Sequence, residues 1–224
     1  FRDVPERSFA GVRVAWSERL GRYPVEAAVR AVCNAARSVF AAVGCDVVDG
    51  EPDFDGVDDL FQTLRAAGYA ALLGRDLVRG RAELKDTVVW NVEQGLKLTP
   101  EDLERAATAK AALDARVAAF FAVHEFLVLP TVQVLPFPVE IEWPREIAGV
   151  AMGTYIDWMA TCYAISCTGL PAISVPCGFS RDGLPVGLQL VGRSDRDLEV
   201  LRLARAFEQA TSCAQRRPRF AATP

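Results

Sequence analysis

Hydrolysis of an acyl or amide bond needs a nucleophile, a base and hydrogen-bond donors for the oxyanion. Side chains able to fill those roles are thinly spread in this chain. Its eight serines are scattered, with no Ser-Ser pair. Lysine occurs only at Lys85, Lys97 and Lys110, and His124 is the single histidine. A Ser–His–Asp triad would have to use His124, yet no Gly-x-Ser-x-Gly elbow is present to present its serine. Ser174 lies inside Ala172-Ile173-Ser174-Val175-Pro176 and reads as a hydrogen-bonded strand serine. His124 follows Ala122-Val123 at a helix end and reads as a cap or a packed ring. Cys167 or Cys177 as a thiol nucleophile would need His124 close in space, and Asp157 with Glu142 would form an acid pair only if the fold set their geometry. No Gly-Gly pair or phosphate-cradling glycine motif occurs. No catalytic residue is therefore assigned within this chain.

The six cysteines show no Cys-x-x-Cys spacing, and with one histidine a zinc site has few possible ligands. They read as buried free thiols, and a reducing cytoplasmic setting is expected. Net charge is −4, the pI is about 5.2 and no Lys/Arg stripe stands out, so neither nucleic acid nor an anionic membrane is an expected partner. No apolar run approaches the roughly 18 residues of a membrane span, and no signal peptide is visible. The 224 residues, 51% of them hydrophobic, suffice for a sizeable core. One unit covering 1–224 is expected, with a frayed tail over 216–224.

The elements that must position any site are legible from apolar runs and their punctuation. Val12–Trp16 reads as a strand, Pro24 as the start of a helix whose stripe is Val25, Val29, Val32, Ala36, Val39 and Val43, and Cys45–Val48 as a second strand. This is a βαβ unit, which implies parallel pairing. Leu60, Phe61, Leu64, Ala71 and Leu72 mark a helix expected to stop near Gly74, with an exposed connection over Arg75–Lys85. Thr99-Pro100-Glu101-Asp102 is a helix start, and Leu103, Ala106, Lys110, Leu113, Val117 and Phe120 carry that helix to about Val123. Phe126–Leu129 reads as a buried strand, Gln133–Arg145 as a Pro-rich surface excursion, and Ser194–Asp197 as the cap of a last helix with Leu198, Leu201, Ala204 and Phe207 inward.

The chain is organised around Gly169–Gly192. Ala172–Cys177 and Val186–Val191 are short apolar runs bounded by glycine and proline, and Ser180-Arg181-Asp182-Gly183 has turn chemistry between them. These features together imply a β-hairpin covered on both faces. Val12–Trp16, Phe126–Leu129 and both hairpin strands are expected in one sheet, with helices around it.

Thr168-Gly169-Leu170-Pro171-Ala172-Ile173-Ser174-Val175-Pro176-Cys177-Gly178-Phe179, then Gly183-Leu184-Pro185-Val186-Gly187-Leu188-Gln189-Leu190-Val191-Gly192, resembles the C-terminal signature of the amidase signature family. Glu125-Phe126-Leu127-Val128-Leu129-Pro130-Thr131 is similar to a strand that borders the active site in that family. The resemblance implies an α/β fold with a mixed β-sheet sandwiched by helices, and hydrolysis of a C–N amide bond without metal or organic cofactor. Family members use two serines and a lysine in their first half, which this sequence does not match, so it reads as a C-terminal portion that supplies pocket wall. Thr131, Tyr155, Trp158, Met159 and Cys162 are the substrate-contact candidates that the resemblance implies. A hydrophobic or aryl amide is the expected substrate. In the tRNA-dependent amidotransferases the corresponding subunits carry an acid near position 159, where this chain has Met159, with Asp157 two residues away. The expected partner is the other half of the enzyme, or a second copy through an exposed apolar face. An alternative is a non-catalytic α/β binding or interaction domain that kept the fold.

Overall fold

The computed structural model describes residues 6–216. In chain order the elements are β1 (Arg13–Trp16), α1 (Ala27–Ala42), β2 (Asp46–Asp49), α2 (Val57–Gly80), α3 (Asp86–Gly95), α4 (Pro100–Val123), β3 (Phe126–Pro130), β4 (Glu146–Ile147), β5 (Val150–Ala151), α5 (Ala160–Ser166), β6 (Ala172–Phe179), β7 (Pro185–Gly192) and α6 (Asp197–Thr211). They fall into two compact units. One is formed by the segments up to Pro52 and from Ala119 onward, the other by Asp53–Ala118. The tail expected to fray lies outside the described residues from position 217.

The first unit is built on a five-stranded mixed sheet of order β2-β1-β3-β7-β6. The four strands expected to share a sheet do so. β1 pairs in parallel with β2 and β3, while β7 is antiparallel to β3 and to β6. Side-chain alternation sorts the buried strand residues onto two faces. Val14, Trp16, Phe126, Val128, Leu188 and Leu190 pack with Val29, Cys33 and Phe40 of α1 and Leu203 and Phe207 of α6. Phe40 bridges the layers. Its ring meets Trp16 edge-on at 6.1 Å and stacks on Phe207 at 4.9 Å. On the other face, Ala15, Leu127, Leu129 and Val191 are fully enclosed. There α5 is tied to the sheet through Thr161, and Phe120 of the last turn of α4 lies beside Gly50. The sheet thus has helices on both faces.

Local chemistry explains the boundaries. Gly44, at φ +101°, turns the chain from α1 into β2. The helix starts at Ala27 rather than Pro24, because the Glu26 N–H donates to the Gln133 carbonyl and its carboxylate accepts from the Leu135 N–H, which commits this stretch to the loop after β3. The β6–β7 turn closes as expected: Ser180 exchanges bonds with Gly183 and Leu184, and Gly183 takes φ +82°. Pro176 costs no ladder bond because β6 is an edge strand with a register shift at Cys177. For α6 the expected cap fails. The helix begins at Asp197, Arg196 holds the N-cap position without a side-chain bond, and its buried face is Val200, Leu203, Ala204 and Phe207.

The second unit is helical. α2 continues past Gly74 to Gly80, so the expected exposed connection is mostly helix, and α3 comes next. Thr99 and Asp102 cap α4 reciprocally. The Asp102 N–H donates to Thr99 Oγ1 at 3.2 Å, and the Thr99 N–H donates to the Asp102 carboxylate at 2.8 Å. Lys110 pairs with Asp114 one turn on, at 2.6 Å. α2 and α3 meet closely at Gly95. A Cβ there would lie 2.0 Å from the Ala66 carbonyl and 2.6 Å from the Ala70 methyl. Asn91 of α3, itself buried, accepts from Arg65 of α2 at 3.2 Å. Gly95→Ala must push the helices apart and is expected to cost about 1–3 kcal/mol, the usual range for overpacking. Urea denaturation of the variant checks this.

In the sheet unit, Arg7 forks onto both oxygens of Glu125 and also reaches Glu199, which Arg202 contacts in turn. The Arg7 guanidinium is held more firmly protonated than usual, first by its hydrogen bond to Glu125. For Glu199, burial opposes ionisation, but the Arg7 hydrogen bond and the charges of Arg7 and Arg202 prevail and hold its carboxyl below the usual range. A carboxyl depressed on folding stabilises above its unfolded pKa, and that contribution is lost as pH falls through the folded value. At neutral pH the urea midpoint of the wild type should exceed that of Glu199→Gln, and the gap should close as pH falls below roughly 4.

Candidate functional site

An apolar cavity of about 370 Å³ lies where β3 ends and β7 begins. Its walls come from four places: Val29 of α1, the loop Val132–Phe137, Trp158, and Pro185, Val186 and Gly187 of β7. Phe137 meets Trp158 edge-to-face at 5.4 Å. Val134 belongs to a satellite core with Trp143, Ile147 and Met152, against which Phe137, Tyr155 and Trp158 pack. The stretch Gln133–Arg145 is therefore only partly a surface excursion. Its apolar residues at Val134 and Trp143 are buried, while Val139 and Ile141 are exposed. The β4–β5 hairpin completes this region, with Ala148 and Gly149 both at positive φ in its tight turn.

Gln133 organises the wall. It is fully buried. Its amide N–H donates to the Pro24 carbonyl at 2.9 Å, and its side-chain oxygen accepts from the Ala160 N–H at 2.6 Å. Ala160 is the first residue of α5, and Met159 at its N-cap position makes no side-chain cap bond. The Gln133 side chain thus replaces the missing cap and joins three segments: the approach to α1, the loop after β3 and the start of α5. Two further bonds align α5 with the sheet. Thr161 donates to the Thr131 carbonyl at 3.1 Å, and Gln189 donates to the Thr161 carbonyl at 3.4 Å.

Beside the cavity lies a hydroxyl pair. Thr131 Oγ1 and Ser174 Oγ are 2.7 Å apart and exposed. Both crowd Gly187, where an added Cβ would sit 2.9 Å from the serine oxygen and 3.0 Å from the threonine oxygen. Absence of a side chain at Gly187 is what lets the two hydroxyls meet across β7. Ser174 is thus a hydrogen-bonded strand serine, as its setting implied. His124 is a packed ring, stacked on Phe120 at 4.3 Å with Nδ1 3.1 Å from the Phe120 carbonyl.

Of the five candidates, Trp158 lines the cavity and Thr131 adjoins it through Gly187. Tyr155 packs on the satellite core. Met159 and Cys162 are half-buried at the start of α5 and are not among the lining residues, and burial pushes the Cys162 thiol up. Asp157 is engaged within its own loop rather than with Glu142. Asp157 spends its carboxylate on the Gly153 and Thr154 N–H groups, at 2.8 and 2.9 Å, and on the Thr154 hydroxyl. The six cysteines are all free thiols. Cys33 and Cys177 face each other at 4.0 Å within the core, and the hydrogen bond to Cys177, together with burial, raises the Cys33 thiol. Burial also pushes Cys45 up to about 11. Among the described residues no group of three or more His, Cys, Asp or Glu could hold a metal, and no helix is long and apolar enough to cross a membrane.

The family model described as Amidase matches residues 4–201. The chain belongs to the amidase family. An acylamidase from Rhodococcus erythropolis is 32% identical over 213 residues, covering 93% of this chain and 44% of that protein. The A subunit of the glutamyl-tRNA(Gln) amidotransferase from Microcystis aeruginosa is 30% identical, over 75% of this chain and 32% of its own length. Among solved structures, a bacterial aryl acylamidase of the amidase signature family superposes with a TM-score of 0.82 at 24% identity, covering 94% of this chain and 46% of that one. A 6-aminohexanoate cyclic dimer hydrolase superposes with a TM-score of 0.79 at 21% identity, over 96% and 48%. This chain therefore spans less than half the length of these relatives, and its α/β architecture, a mixed sheet flanked by helices, is that of the amidase signature enzymes.

The wall of this cavity contains residues that the sequence did not mark as site residues, namely Val29, Val132, Leu135, Phe137 and Val186, with Gln133 behind them. The apolar ones look like any core residue in one dimension. For Gln133 the one available signal was a long polar side chain set between Val132 and Val134, within an otherwise apolar run. Gln133→Ala would orphan the Ala160 N–H and the Pro24 carbonyl in a buried site, at roughly 1–3 kcal/mol per group. A chemical-denaturation midpoint lowered accordingly, with Gln133→Glu less damaging at acidic pH than at neutral pH, is the expected result.

Proposed function

We propose that this chain forms the substrate-pocket wall of an amidase that hydrolyses a C–N amide bond, with the nucleophile, base and oxyanion donors contributed by residues outside these 224. The observation that carries this reading is the apolar cavity at the end of β3, bordered by the Thr131–Ser174 hydroxyl pair and closed by Trp158 and Phe137. Such a surface suits the acyl or aryl part of a hydrophobic amide, because apolar and aromatic walls bind by burial and by edge-to-face contact. The relatives named as acylamidases support that substrate class. Met159, where the tRNA-dependent amidotransferases would carry an acid, and the commitment of Asp157 to Gly153 and Thr154 speak against recognition of a glutamine amino group. Among the described residues, Ser174 is paired with Thr131 and Lys110 with Asp114. Exposed Val139 and Ile141, beside the satellite core, support packing by the rest of such an enzyme.

Acetanilide binding and turnover test this reading. The purified 224-residue chain should leave acetanilide and hexanamide intact but bind acetanilide saturably, seen as a change in tryptophan fluorescence. Trp158→Ala should weaken that binding roughly tenfold, the loss of one aromatic contact. Turnover by the chain alone that disappears in Ser174→Ala would overturn the division of labour. Equal affinity in wild type and Trp158→Ala would show that the cavity is not the amide site and would favour the non-catalytic domain.

A further inference from the structure

The apolar cavity uses one end of β3 and β7. At the other end, where β3 begins and β7 finishes, a second cavity of about 320 Å³ is lined by four arginines, Arg7, Arg193, Arg196 and Arg202, against two glutamates, Glu125 and Glu199. Five strand residues at about 3.3 Å each separate the two cavities by roughly 15 Å or more.

The charges in the second cavity do not cancel. Arg7 is saturated by Glu125 and Glu199, and Arg202 shares Glu199. Among the described residues no carboxylate pairs with the other two. Arg193 is anchored by a neutral group, donating Nε and one Nη to the His124 carbonyl at 3.1 and 3.0 Å. Arg196 is exposed, and its guanidinium has no hydrogen bond or ion pair among the described residues. Asp195 and Asp197 flank it in sequence, yet neither lines the cavity nor pairs with it, and the Ser194 hydroxyl points to Asp195 instead. Arg193 and Arg196 therefore line one concave site without a carboxylate partner among the described residues, beside the Arg7–Glu125–Glu199–Arg202 network. Like charges gathered in this way repel, and a bound anion relieves the repulsion.

We infer that this cavity binds a small multivalent anion bearing phosphate or carboxylate groups, gripped by Arg193 and Arg196. Guanidinium forks match both oxyanions bidentately. The volume lies at the small-molecule end of ligand sites. The chain's net charge of −4 and the absence of a basic stripe beyond the cavity do not suit a nucleic acid.

Isothermal titration of the full chain with inorganic phosphate, and separately with citrate, tests this at an ionic strength fixed with sodium chloride. One saturable site is expected for at least one of the two anions, and the stronger binder identifies the preferred group. Arg196→Gln should weaken binding about tenfold, the loss of one charge-assisted contact. Arg196 is exposed and partnerless among the described residues, so this variant is expected to fold as the wild type does, and far-UV circular dichroism checks that. Arg193→Gln should weaken binding at least as much. Absence of saturation with both anions, or unchanged affinity in Arg196→Gln, would overturn the proposal.

Discussion

The backbone ladder of β3 is the constraint on which the sheet unit depends. β3 joins two differently built parts, being parallel to β1 on one side and antiparallel to β7 on the other. All five of its residues are buried. A strand with hydrogen bonds on both edges and cover on both faces cannot slip, because a one-residue shift would exchange the faces of Phe126 and Val128 with those of Leu127 and Leu129. Both ends of the strand are therefore fixed points. Past Pro130 the chain enters the loop that walls the apolar cavity, and before Phe126 it presents Glu125 to Arg7.

A fixed strand end makes for a well-placed loop. Thr131 continues the ladder by donating its N–H to the Gly187 carbonyl at 3.1 Å, and its own carbonyl accepts from Thr161. Two residues on, Gln133 is held at both ends of its amide, and so transmits the position of β3 to the first residue of α5 and to the approach of α1. The cavity is shaped by polar bonds lying behind its apolar surface. Little conformational entropy is lost in making them, since each bond is made by a residue one or two steps from an already rigid strand.

The parts of this architecture legible in the sequence were those written in local patterns. β6 and β7 announced themselves as apolar runs between glycines and prolines, and Gly183 supplied the turn. The start of α4 was explicit in Thr99-Pro100-Glu101-Asp102, because capping uses nearest neighbours. Where the deciding contact is distant, the pattern misled. Gly74 looked like a stop, yet α2 continues to Gly80, glycine being tolerated in a helix at about 1 kcal/mol when context outweighs it. α3 went unread although Asn91 and Gly95 are what fit it to α2. Pro24 looked like a helix start, but Glu26 was already bound to Gln133 and Leu135. The arginine-lined cavity was invisible for the same reason: Arg7, Glu125 and Arg193 are far apart in sequence, and only the pairing of β3 with β7 brings the last two together.

The composition of the apolar cavity also bears on what this chain can contribute to catalysis under the proposed reading. Acceleration comes from interactions that strengthen between ground state and transition state, above all from donors aimed at developing charge in a dry site. Trp158, Phe137, Val134 and Val186 offer burial, which is nearly the same for an amide and for its tetrahedral intermediate. A wall of this kind contributes uniform binding and exclusion of water. It raises the effect of any charged group brought beside it, because low polarity strengthens electrostatic interactions at the reacting carbonyl. Specificity and chemistry thus separate by residue type. Under the proposed reading, the side chains that discriminate a hydrophobic amide reside in this chain, and those that break its C–N bond reside elsewhere. Changes to the wall should accordingly register in substrate affinity before they register in the rate of the chemical step.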